Sequence, residues 1–493
     1  MKLYKTAFCL ITGIILFSTA SAQRYFGIAT SEWSATNSLY LNPASIAGSH
    51  EQVTISLLSL NIAVDNNLGT FPKISNIGKV NNNDTNSNST NNGIFTNSGR
   101  KNFSMLVPTL EMRGPGVLVG INNRMTIALT TRIRVINQLN HFDQSLYDQV
   151  TNPNTPTGDY EVSAQKFNWT ANLWSEIGLS YGMIVMDDEN GQIKAGVTIR
   201  HLSGIGYIGL KANNMDLKYS AGKDSFYASH TDLEFASNIV STNSAALSGL
   251  NSSSLFGNLF GSAQGGGFGG DLGVTYTRIL NFNGNDKMGK DDAGSHKISA
   301  SASVMDIGAI NYNKNNYTLD ISKGNGYLDG HKIKDYTNNF DSIKAYAIQQ
   351  GFNADTGNKA VKVHMPTALI ISADYQVYRR LYVNATYIAN LVNRQAFGNS
   401  VYNQITITPR YDSHVFTVGM PITYSALANN IKLGLGLRLG GFFLGSDDML
   451  ALMSSNQYGF GFYFGGYVPI CRKEHKKDTP NDTQPVAPLH TTE

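Results

Sequence analysis

The chain has 493 residues, of which 38 are Lys or Arg and 35 are Asp or Glu, so its formal net charge is +3. Charged residues make up 15% of the chain and hydrophobic residues 41%, whereas an average soluble domain carries about 25% charged residues. The many aromatic residues and the low net charge argue against a disordered chain. The same charge argues against a nucleic-acid-binding protein, and we expect no nucleic-acid partner.

The first 22 residues have the organisation of a secretory signal peptide. Lys2 and Lys5 supply the positive start, and Ala7–Phe17 is a short apolar stretch. Ala20-Ser21-Ala22 is an A-x-A cleavage site, so we expect cleavage after Ala22 and a mature chain that begins at Gln23.

Long runs of alternating apolar and polar residues are the dominant pattern after this segment. Arg124–Asn137, Lys166–Val185 and Ile431–Gly440 each have one apolar face, and the other face is rich in charged, hydroxyl and glycine residues. Strands of soluble sandwiches usually have about five or six residues, whereas a tilted strand needs about ten to cross a bilayer. The pattern predicts an all-β transmembrane antiparallel barrel with an apolar outside. A soluble secreted β-protein that binds glycans is the alternative.

The barrel is predicted to span residues 51–470. Residues 23–50 are predicted to form a small N-terminal hatch or plug, and residues 471–493 a disordered periplasmic tail. Single-chain bacterial barrels have even strand numbers. We therefore expect one further strand within 205–237 and about fourteen strands in all, with sixteen as the alternative. The thirteen predicted strands are 51–64, 101–121, 124–137, 164–185, 192–203, 267–280, 296–308, 361–377, 381–393, 401–410, 414–423, 430–443 and 457–470.

Several short motifs carry a family resemblance. Asn42, Pro43 and Ala44 are similar to the N-P-A signature of the long-chain fatty-acid transporter (FadL-like) barrels, where it lies in an N-terminal hatch. Other blocks resemble an uncharacterised family of Bacteroidota outer-membrane proteins (DUF5723), itself distantly FadL-like. The resemblance implies an outer-membrane barrel of about fourteen strands with a hatch. In chain order the blocks are Arg113–Gly116, Thr131–Arg134, Trp174–Gly182, Lys194–Arg200, Asp306–Gly308, Met365–Ala368, Ala373–Tyr375 and Leu437–Gly440.

The resemblance implies two different functions. FadL-like barrels include channels for hydrophobic compounds, so one function is a channel for small hydrophobic or amphipathic molecules in contact with outer-membrane lipids. They also include a shuttle barrel of the type IX secretion system, so the alternative is a non-enzymatic subunit of a secretion or outer-membrane assembly complex. The early glycine-rich signature of that shuttle is not evident in this sequence.

Eight charged residues fall on the polar faces of the predicted strands and therefore in the lumen. Facing lipid instead would cost a charged side chain about 2–4 kcal/mol at the bilayer midplane. In one interpretation these residues bind an anionic head group or hold the hatch. In the other, which we favour, they form structural ion pairs across neighbouring strands. Glu176 is expected to pair with an arginine. The eight are Arg132, Arg134, Glu176, Lys194, Arg200, Asp374, Lys432 and Arg438.

Gly114, Pro115 and Gly116 interrupt a predicted strand, because proline cannot donate a hydrogen bond to the neighbouring strand. We expect a bulge there, and the alternative is a kink that opens the lumen sideways to lipid.

No motif predicts catalysis. Gly178–Gly182 matches G-x-S-x-G, but a hydrolase needs that serine on a sharp turn between a strand and a helix, and here it lies within an alternating run. No His or Cys pair has metal-ligand spacing. We expect no enzyme activity, no metal and no cofactor.

Overall fold

The computed structural model describes residues 25–49, 51–70, 96–97, 100–151, 158–188, 191–223, 225–238, 263–281, 295–322, 326–330, 332, 340–450 and 457–471. The predicted signal peptide (1–22) and residues 472–493 of the predicted tail (471–493) lie outside the described residues, while Cys471, the first residue of that tail, is the last residue of a strand. No helix in these ranges is long and apolar enough to span a membrane.

Most of the described chain is β-strand. The helices are the α-helices Phe26–Ala29, Gln144–Thr151 and Phe340–Gln349 and the 3-10 helices Ala35–Tyr40 and Pro43–Ile46. The strands are β1 (Glu51–Asn66), β2 (Gly69–Thr70), β3 (Thr96–Asn97), β4 (Asn102–Gly120), β5 (Met125–Asp143), β6 (Tyr160–Asp188), β7 (Gly191–Ser220), β8 (Ser225–Ser237), β9 (Gly265–Asn281), β10 (Ser295–Tyr312), β11 (Tyr317–Ser322), β12 (Leu328–Asp329), β13 (Asn353–Gly357), β14 (Val361–His364), β15 (Ala368–Tyr378), β16 (Leu381–Asn390), β17 (Gln404–Asp412), β18 (Phe416–Gly419), β19 (Ile422–Ser425), β20 (Asn430–Leu433), β21 (Leu435–Leu439), β22 (Phe442–Ser446) and β23 (Gly459–Cys471).

The wall is a closed antiparallel barrel of fourteen strands, as the sequence predicts. Three wall strands are interrupted once and consist of the pairs β14 with β15, β18 with β19, and β20 with β21. The barrel closes where β23 pairs with β1, from Glu51 opposite Cys471 to Asp65 opposite Gly459. The order around the wall is β1, β4, β5, β6, β7, β9, β10, β14–β15, β16, β17, β18–β19, β20–β21, β22 and β23.

The prediction is wrong in two places: the bounds of the strand 430–443 and the position of the fourteenth strand. The predicted strand 430–443 contains a tight turn at Gly440 and Gly441, and β22 runs back from Phe442 and pairs with β21. Gly440 has φ +56, in the left-handed region that glycine adopts without steric cost. The missing wall strand is therefore β22, and not a strand within 205–237. The outward face changes from odd-numbered residues, up to Leu439, to even-numbered ones, from Phe442. Phe443 lies four positions after Leu439, where a continuing strand would place an apolar residue, although it points inward, and this conceals the turn in the sequence.

With this correction most short turns lie at one end of the barrel and most longer connections at the other; the exceptions are the connection 282–294 and the short turn 426–429. Short turns join β4 to β5, β6 to β7, β15 to β16 and β21 to β22 at the end where β1 begins. The other longer connections, including 391–403 between β16 and β17, lie at the opposite end. Outer-membrane barrels have short periplasmic turns and longer extracellular loops. We refer to the two ends as the short-turn end and the long-loop end.

The wall is apolar outside and polar inside. Leu179, Ile199 and Phe442 point outward and are 59%, 63% and 75% exposed, whereas inward residues such as Thr126 and Thr198 are buried. Because successive strand residues point to opposite faces, the alternation in the sequence produces both surfaces at once. The exposed apolar surface suits a lipid bilayer.

The N-terminal segment, residues 25–49, lies inside the barrel against inward-facing glycines. A Cβ on Gly27 would lie 2.6 Å from Gly436 Cα, and a Cβ on Gly196 would overlap the backbone of Pro43 and Ala44. These close approaches require glycine. The inward glycines therefore provide the space that the N-terminal segment occupies.

Residues 205–237 form part of an extension at the long-loop end. β7 pairs with the wall strand β9 as far as Gly204 and then with β8 from Ile208 onward. β8 pairs with β11, and β11 pairs with β13. Helix Phe340–Gln349 covers this sheet, and its Ile343 and Tyr346 pack into an apolar core with Met215 and Leu319. The extension is a folded unit with its own core beyond the barrel wall.

Candidate functional site

A cluster of eight charged side chains lies inside the barrel on six consecutive wall strands. Every member is at most 6% exposed except Glu111, which is 15% exposed. With all groups ionised the four arginines balance the four carboxylates, which favours burial of the whole set over burial of any single member. This lumen charge cluster consists of Glu111, Arg113, Arg132, Arg134, Glu176, Arg200, Asp271 and Asp306.

Arg132 and Glu176 occupy the centre of the cluster. Strand register places them directly opposite each other. Nε and Nη2 of Arg132 donate to Glu176 Oε2 at 3.0 and 2.7 Å, and Nη2 also donates to Asp306 Oδ1 at 2.9 Å. Arg134 Nη1 lies 3.4 Å from Glu176 Oε1 and 3.1 Å from Asp306 Oδ2. Both carboxylates are thus shared between arginines, and Trp174 Nε1 donates to Glu176 Oε1 at 2.7 Å.

Arg200 extends the cluster along the wall to β9 and β10. Its Nη1 donates to Asp271 Oδ1 at 2.7 Å and to Asp306 Oδ1 at 3.1 Å. The backbone amide of Asp306 donates to Asp271 Oδ1 at 2.7 Å. Asp306 has φ +53, an uncommon conformation for a non-glycine residue, and the wall register is irregular at this point.

Arg113 connects the cluster to the N-terminal segment. Its guanidinium carbon lies 4.0 Å from the ring centroid of Tyr25 and 4.1 Å from that of Tyr40. Its Nη1 donates to Asn37 Oδ1 at 3.3 Å, and its Nε forms an ion pair with Glu111 Oε1 at 2.5 Å. Cation–π contacts of this kind stabilise by about 2 kcal/mol when they are desolvated. Arg113 therefore holds three residues of the N-terminal segment against β4.

Two pockets meet at Arg113 and Tyr40. The lumen pocket is a small cavity of about 20 Å³, and its lining combines cluster members with apolar Leu106, Ile136 and Val401. The wall pocket is a smaller cavity of about 10 Å³ and lies between the N-terminal segment, β1 and β4. Arg113 and Tyr40 line both pockets, so together they form the partition between them.

The wall pocket lies where two neighbouring strands are irregular. β1 shifts register against β23 between Ser56 and Ser59, and β4 shifts against β5 between Arg113 and Gly116. Leu57 and Leu58, which line this pocket, are 46% and 50% exposed on the barrel exterior. The pocket therefore reaches from the N-terminal segment to the outer surface of the wall.

The predicted interruption at Gly114, Pro115 and Gly116 coincides with this irregularity. Gly114 has φ +96, and a Cβ on it would overlap the carbonyl oxygen of Leu57. The hydroxyl of Thr131 on β5 donates to Pro115 O at 2.7 Å. The glycine conformation and the proline together interrupt the regular pairing of β4 with its neighbours.

The other four predicted lumen charges lie away from the cluster. Asp374 forms a two-bond ion pair with Arg410 at 2.5 and 2.8 Å, and Lys432 pairs with Asp65 at 2.6 Å. Arg438 donates to Thr417 Oγ1 and to backbone carbonyl groups at the short-turn end. Lys194 belongs to none of the ion pairs found among the described residues. The structure thus brings together four of the eight predicted residues: Arg132, Arg134, Glu176 and Arg200.

Asn42, Pro43 and Ala44 attach the N-terminal segment to the wall. The Asn42 side chain accepts a hydrogen bond from the amide of Ala44 at 2.8 Å, which caps the 3-10 helix that begins at Pro43. Its Nδ2 donates to Val274 O and Thr275 Oγ1, both at 3.1 Å. One side chain therefore caps the start of the helix and binds β9.

Four cluster members, Glu111, Arg113, Asp271 and Asp306, were absent from the predicted lumen set. Arg113 and Asp306 stand in the family blocks, but each adjoins a strand irregularity that breaks the two-residue phase. Asp271 alternates with Gly269 and Gly273, whose lack of side chains leaves the phase of β9 weakly marked. A charge-balance argument could have found them, because buried arginines require buried carboxylates.

The described residues present no catalytic or metal-binding arrangement at the sites that the sequence raised. Ser180 of the G-x-S-x-G match lies within β6, and its hydroxyl is 2.9 Å from Thr198 Oγ1. Among the described residues no group of three or more His, Cys, Asp or Glu side chains is placed to hold a metal ion.

Comparison with known proteins identifies a family. The profile of the family of unknown function DUF5723 matches residues 43–447, which includes the lumen charge cluster and the wall interruption. The chain belongs to this family. None of the curated proteins compared with this chain matches it.

Solved outer-membrane barrels are similar to the chain over most of its length. A FadL homologue of Pseudomonas aeruginosa has 12% identity and a TM-score of 0.42, covering 92% of this chain and 98% of that one. The toluene transporter TbuX of Ralstonia pickettii has 11% identity and a TM-score of 0.38, covering 90% and 98%. The toluene transporter TodX of P. putida has 10% identity and a TM-score of 0.39, covering 88% and 92%.

Proposed function

We propose that this barrel is an outer-membrane channel that passes small amphipathic molecules from the lumen pocket, through the wall pocket, into the membrane. The observation that carries the proposal is the pair of pockets that share Arg113 and Tyr40. A movement of these two side chains would join the pockets. The apolar exterior and the length of the strands support a location in the outer membrane.

The lining of the lumen pocket supports an amphipathic passenger. Leu106, Ile136 and Val401 offer an apolar surface, while Glu111 and the arginines of the lumen charge cluster offer hydrogen-bonding groups. Binding pockets for small molecules are mostly apolar, with a few polar groups that fix orientation. A molecule with an apolar body and one polar end would satisfy both parts of the lining.

The roles of the chain ends belong to the same proposal. We propose that residues 1–22 are removed as a signal peptide on export and that the residues after Cys471, the last residue of β23, form a periplasmic tail. The N-terminal segment would act as a hatch, because it fills the lumen below the lumen pocket and contributes Tyr40 to both pockets. We propose no catalytic step.

Blocking the wall pocket tests this proposal. Thr131 lines the wall pocket near the outer surface, so Thr131→Trp would place an indole in the opening. The variant is produced in the outer membrane of a bacterium that lacks its own long-chain fatty-acid transporter, and uptake of radiolabelled oleate and toluene is measured. We expect the wild-type chain to raise uptake of at least one probe and Thr131→Trp to remove most of that increase.

Leu129→Trp is the matched control. Leu129 is on the same strand and is 47% exposed on the exterior, but it does not line the wall pocket. We expect this variant to take up the probe at the wild-type rate. Equal uptake by Thr131→Trp and the wild type would refute exit through the wall pocket. No uptake by the wild type would refute a channel for these two probes.

A second candidate function is a non-enzymatic subunit of a secretion or outer-membrane assembly complex. The extension favours it, because a sheet with its own apolar core and a covering helix gives the barrel a rigid surface outside the wall. A simple channel does not require such a unit.

A further inference from the structure

The connection between β16 and β17, residues 391–403, turns back into the barrel at the long-loop end. Asn399, Ser400 and Val401 are 1%, 4% and 7% exposed. Ser400 and Val401 line the lumen pocket. Residues 391–403, here called the strap, therefore lie across the route from the long-loop end to the lumen pocket.

Amide side chains on the inner face of the wall hold the strap. Gln138 Nε2 donates to Ser400 Oγ at 2.9 Å, and its Oε1 accepts from the Ser400 amide at 2.8 Å. Asn168 Nδ2 donates to Arg394 O at 2.9 Å and to Ala396 O at 2.7 Å. These four bonds join the strap to β5 and β6 just above the lumen charge cluster.

The remaining contacts of the strap are both polar and apolar: Val401 belongs to a buried apolar cluster with Leu41, and the ring of Phe397 packs edge-on against that of Tyr207. Tyr402 OH donates to Asn140 Oδ1 at 2.5 Å. The amide of His364 donates to Phe397 O at 3.1 Å, and the amide of Asn399 donates to His364 O at 3.2 Å. A typical hydrogen bond of this kind stabilises little on balance, since water replaces it when it opens. Outward movement of the strap therefore breaks hydrogen bonds that water can replace and withdraws Phe397 and Val401 from their apolar neighbours.

We propose that the strap is a gate: it closes the lumen pocket at the long-loop end and swings outward to admit the passenger. This inference rests on the proposed function, because the gate would be the entrance to the lumen pocket of the proposed channel. The movement of the gate is nevertheless separate from exit through the wall pocket, and it is measurable without any passenger. In the closed state Val401 is part of the pocket lining, so the strap also shapes the space in which the passenger binds.

Cysteine accessibility tests the movement directly. The sequence has two cysteines, Cys9 in the predicted signal peptide and Cys471, so Cys471→Ser gives a clean background. A single Ser400→Cys in that background is treated on intact cells with a membrane-impermeant maleimide. Thr408→Cys is the matched control, because Thr408 is equally buried, at 0% exposure, but lies in β17 and cannot swing out.

We expect Ser400→Cys to react faster than Thr408→Cys, and to react faster still with Gln138→Ala. That substitution removes both hydrogen bonds between the Gln138 side chain and Ser400. We expect the labelling rate to rise roughly ten-fold, because the closed state loses the net stabilisation of at least one hydrogen bond. Gln165→Ala is the control for loss of a buried amide, since Gln165 Nε2 donates to His141 O and does not touch the strap. Equal labelling of Ser400→Cys and Thr408→Cys would overturn the gate.

Uptake separates the gate from the channel. With the oleate and toluene assay, we expect Gln138→Ala to raise the initial rate and Gln165→Ala to leave it unchanged. If the wild type takes up a probe but Ser400→Cys stays as unreactive as Thr408→Cys, the gate is wrong and the channel stands. If Ser400→Cys reacts readily but no probe enters, the channel for these probes is wrong and the movement of the strap stands.

Discussion

At the scale of single residues, Arg113 connects the wall, the N-terminal segment and the lumen charge cluster. It stands next to the interruption of β4, lies between the rings of Tyr25 and Tyr40, and pairs with Glu111. Its neighbour across the strands is Arg132, so two cations lie side by side and depend on shared carboxylates. The lumen charge cluster is therefore a structural framework whose members cannot be removed independently.

Glu176 is the residue whose removal tests that framework. Glu176→Ala would leave Arg132 and Arg134 buried without one of their two shared carboxylates, and breaking a buried pair costs about 3–5 kcal/mol. We expect a clear fall in the temperature at which the purified barrel unfolds, measured by the loss of its folded band on heating. The unfolding temperature of Glu176→Gln should fall less, because the glutamine amide has the shape of the carboxylate and keeps part of its hydrogen bonding.

Glu161→Ala is the control, because Glu161 is exposed on the extension. It should unfold at the wild-type temperature. Unchanged stability of Glu176→Ala, together with altered uptake of oleate, would instead support the interpretation in which these charges bind an anionic head group.

At the scale of elements, the N-terminal segment and the wall fit together through backbone contact. The 3-10 helix Pro43–Ile46 lies on β6, β7 and β9, and Asn42 fixes its start to β9. Inward glycines, such as Gly196, leave room for this helix. In the sequence, inward glycines only extend the polar face of an alternating strand. The space that they leave is evident only in the structure, where the N-terminal segment fills it.

Gly196→Ala should displace the N-terminal segment without unfolding the wall. The added Cβ would overlap the backbone of Pro43 and Ala44, which cannot move as a flexible side chain would. We expect faster protease cleavage within residues 25–49 of the purified barrel. Gly266→Ala is the control, because the nearest atom to its Cβ is 3.8 Å away. Identical cleavage of the two variants would show that the segment is not held by this contact.

At the scale of the whole molecule, the lumen is filled from both ends and the barrel continues into an extension. The N-terminal segment fills it from the short-turn end and the strap from the long-loop end, with the lumen pocket between them. If a molecule enters past the strap and leaves through the wall pocket, the barrel never forms a continuous pore from the long-loop end to the short-turn end. The extension leaves the second candidate function in place.

Purification in mild detergent distinguishes the two functions. A tagged barrel is isolated from its native outer membrane, washed with salt, and examined by intact and quantitative mass spectrometry. A channel should come out alone, and its mass should correspond to a chain that begins at Gln23. A partner of fixed stoichiometry that a deletion of helix Phe340–Gln349 releases would favour a secretion or assembly complex. A mass that retains residues 1–22 would contradict the proposed cleavage.

The sequence by itself determined the barrel. Alternation over ten or more residues, as in Arg124–Asn137, fixes which side chains face outward, because the two-residue repeat of a strand follows from local backbone geometry. The same phase placed Arg132, Arg134, Glu176 and Arg200 in the lumen. It also marked the interruption at Gly114–Gly116, since proline and glycine act on their own strand. These are local properties, and a single sequence contains them.

Tertiary structure alone decided where the chain turns without a break in pattern and which distant groups meet. Phe442, Phe443 and Leu444 are all apolar, so the sequence leaves the change of phase at Gly440 and Gly441 unmarked, and the pairing of β22 with β21 and β23 reveals the fourteenth strand. Asp306 meets Arg132 across 174 positions of sequence, and Ser400 meets Gln138 across 262. Such contacts depend on strand register around the closed wall, on bulges that shift the phase, and on connections that fold inward. No local repeat encodes them, because each is set by the closure of the whole barrel.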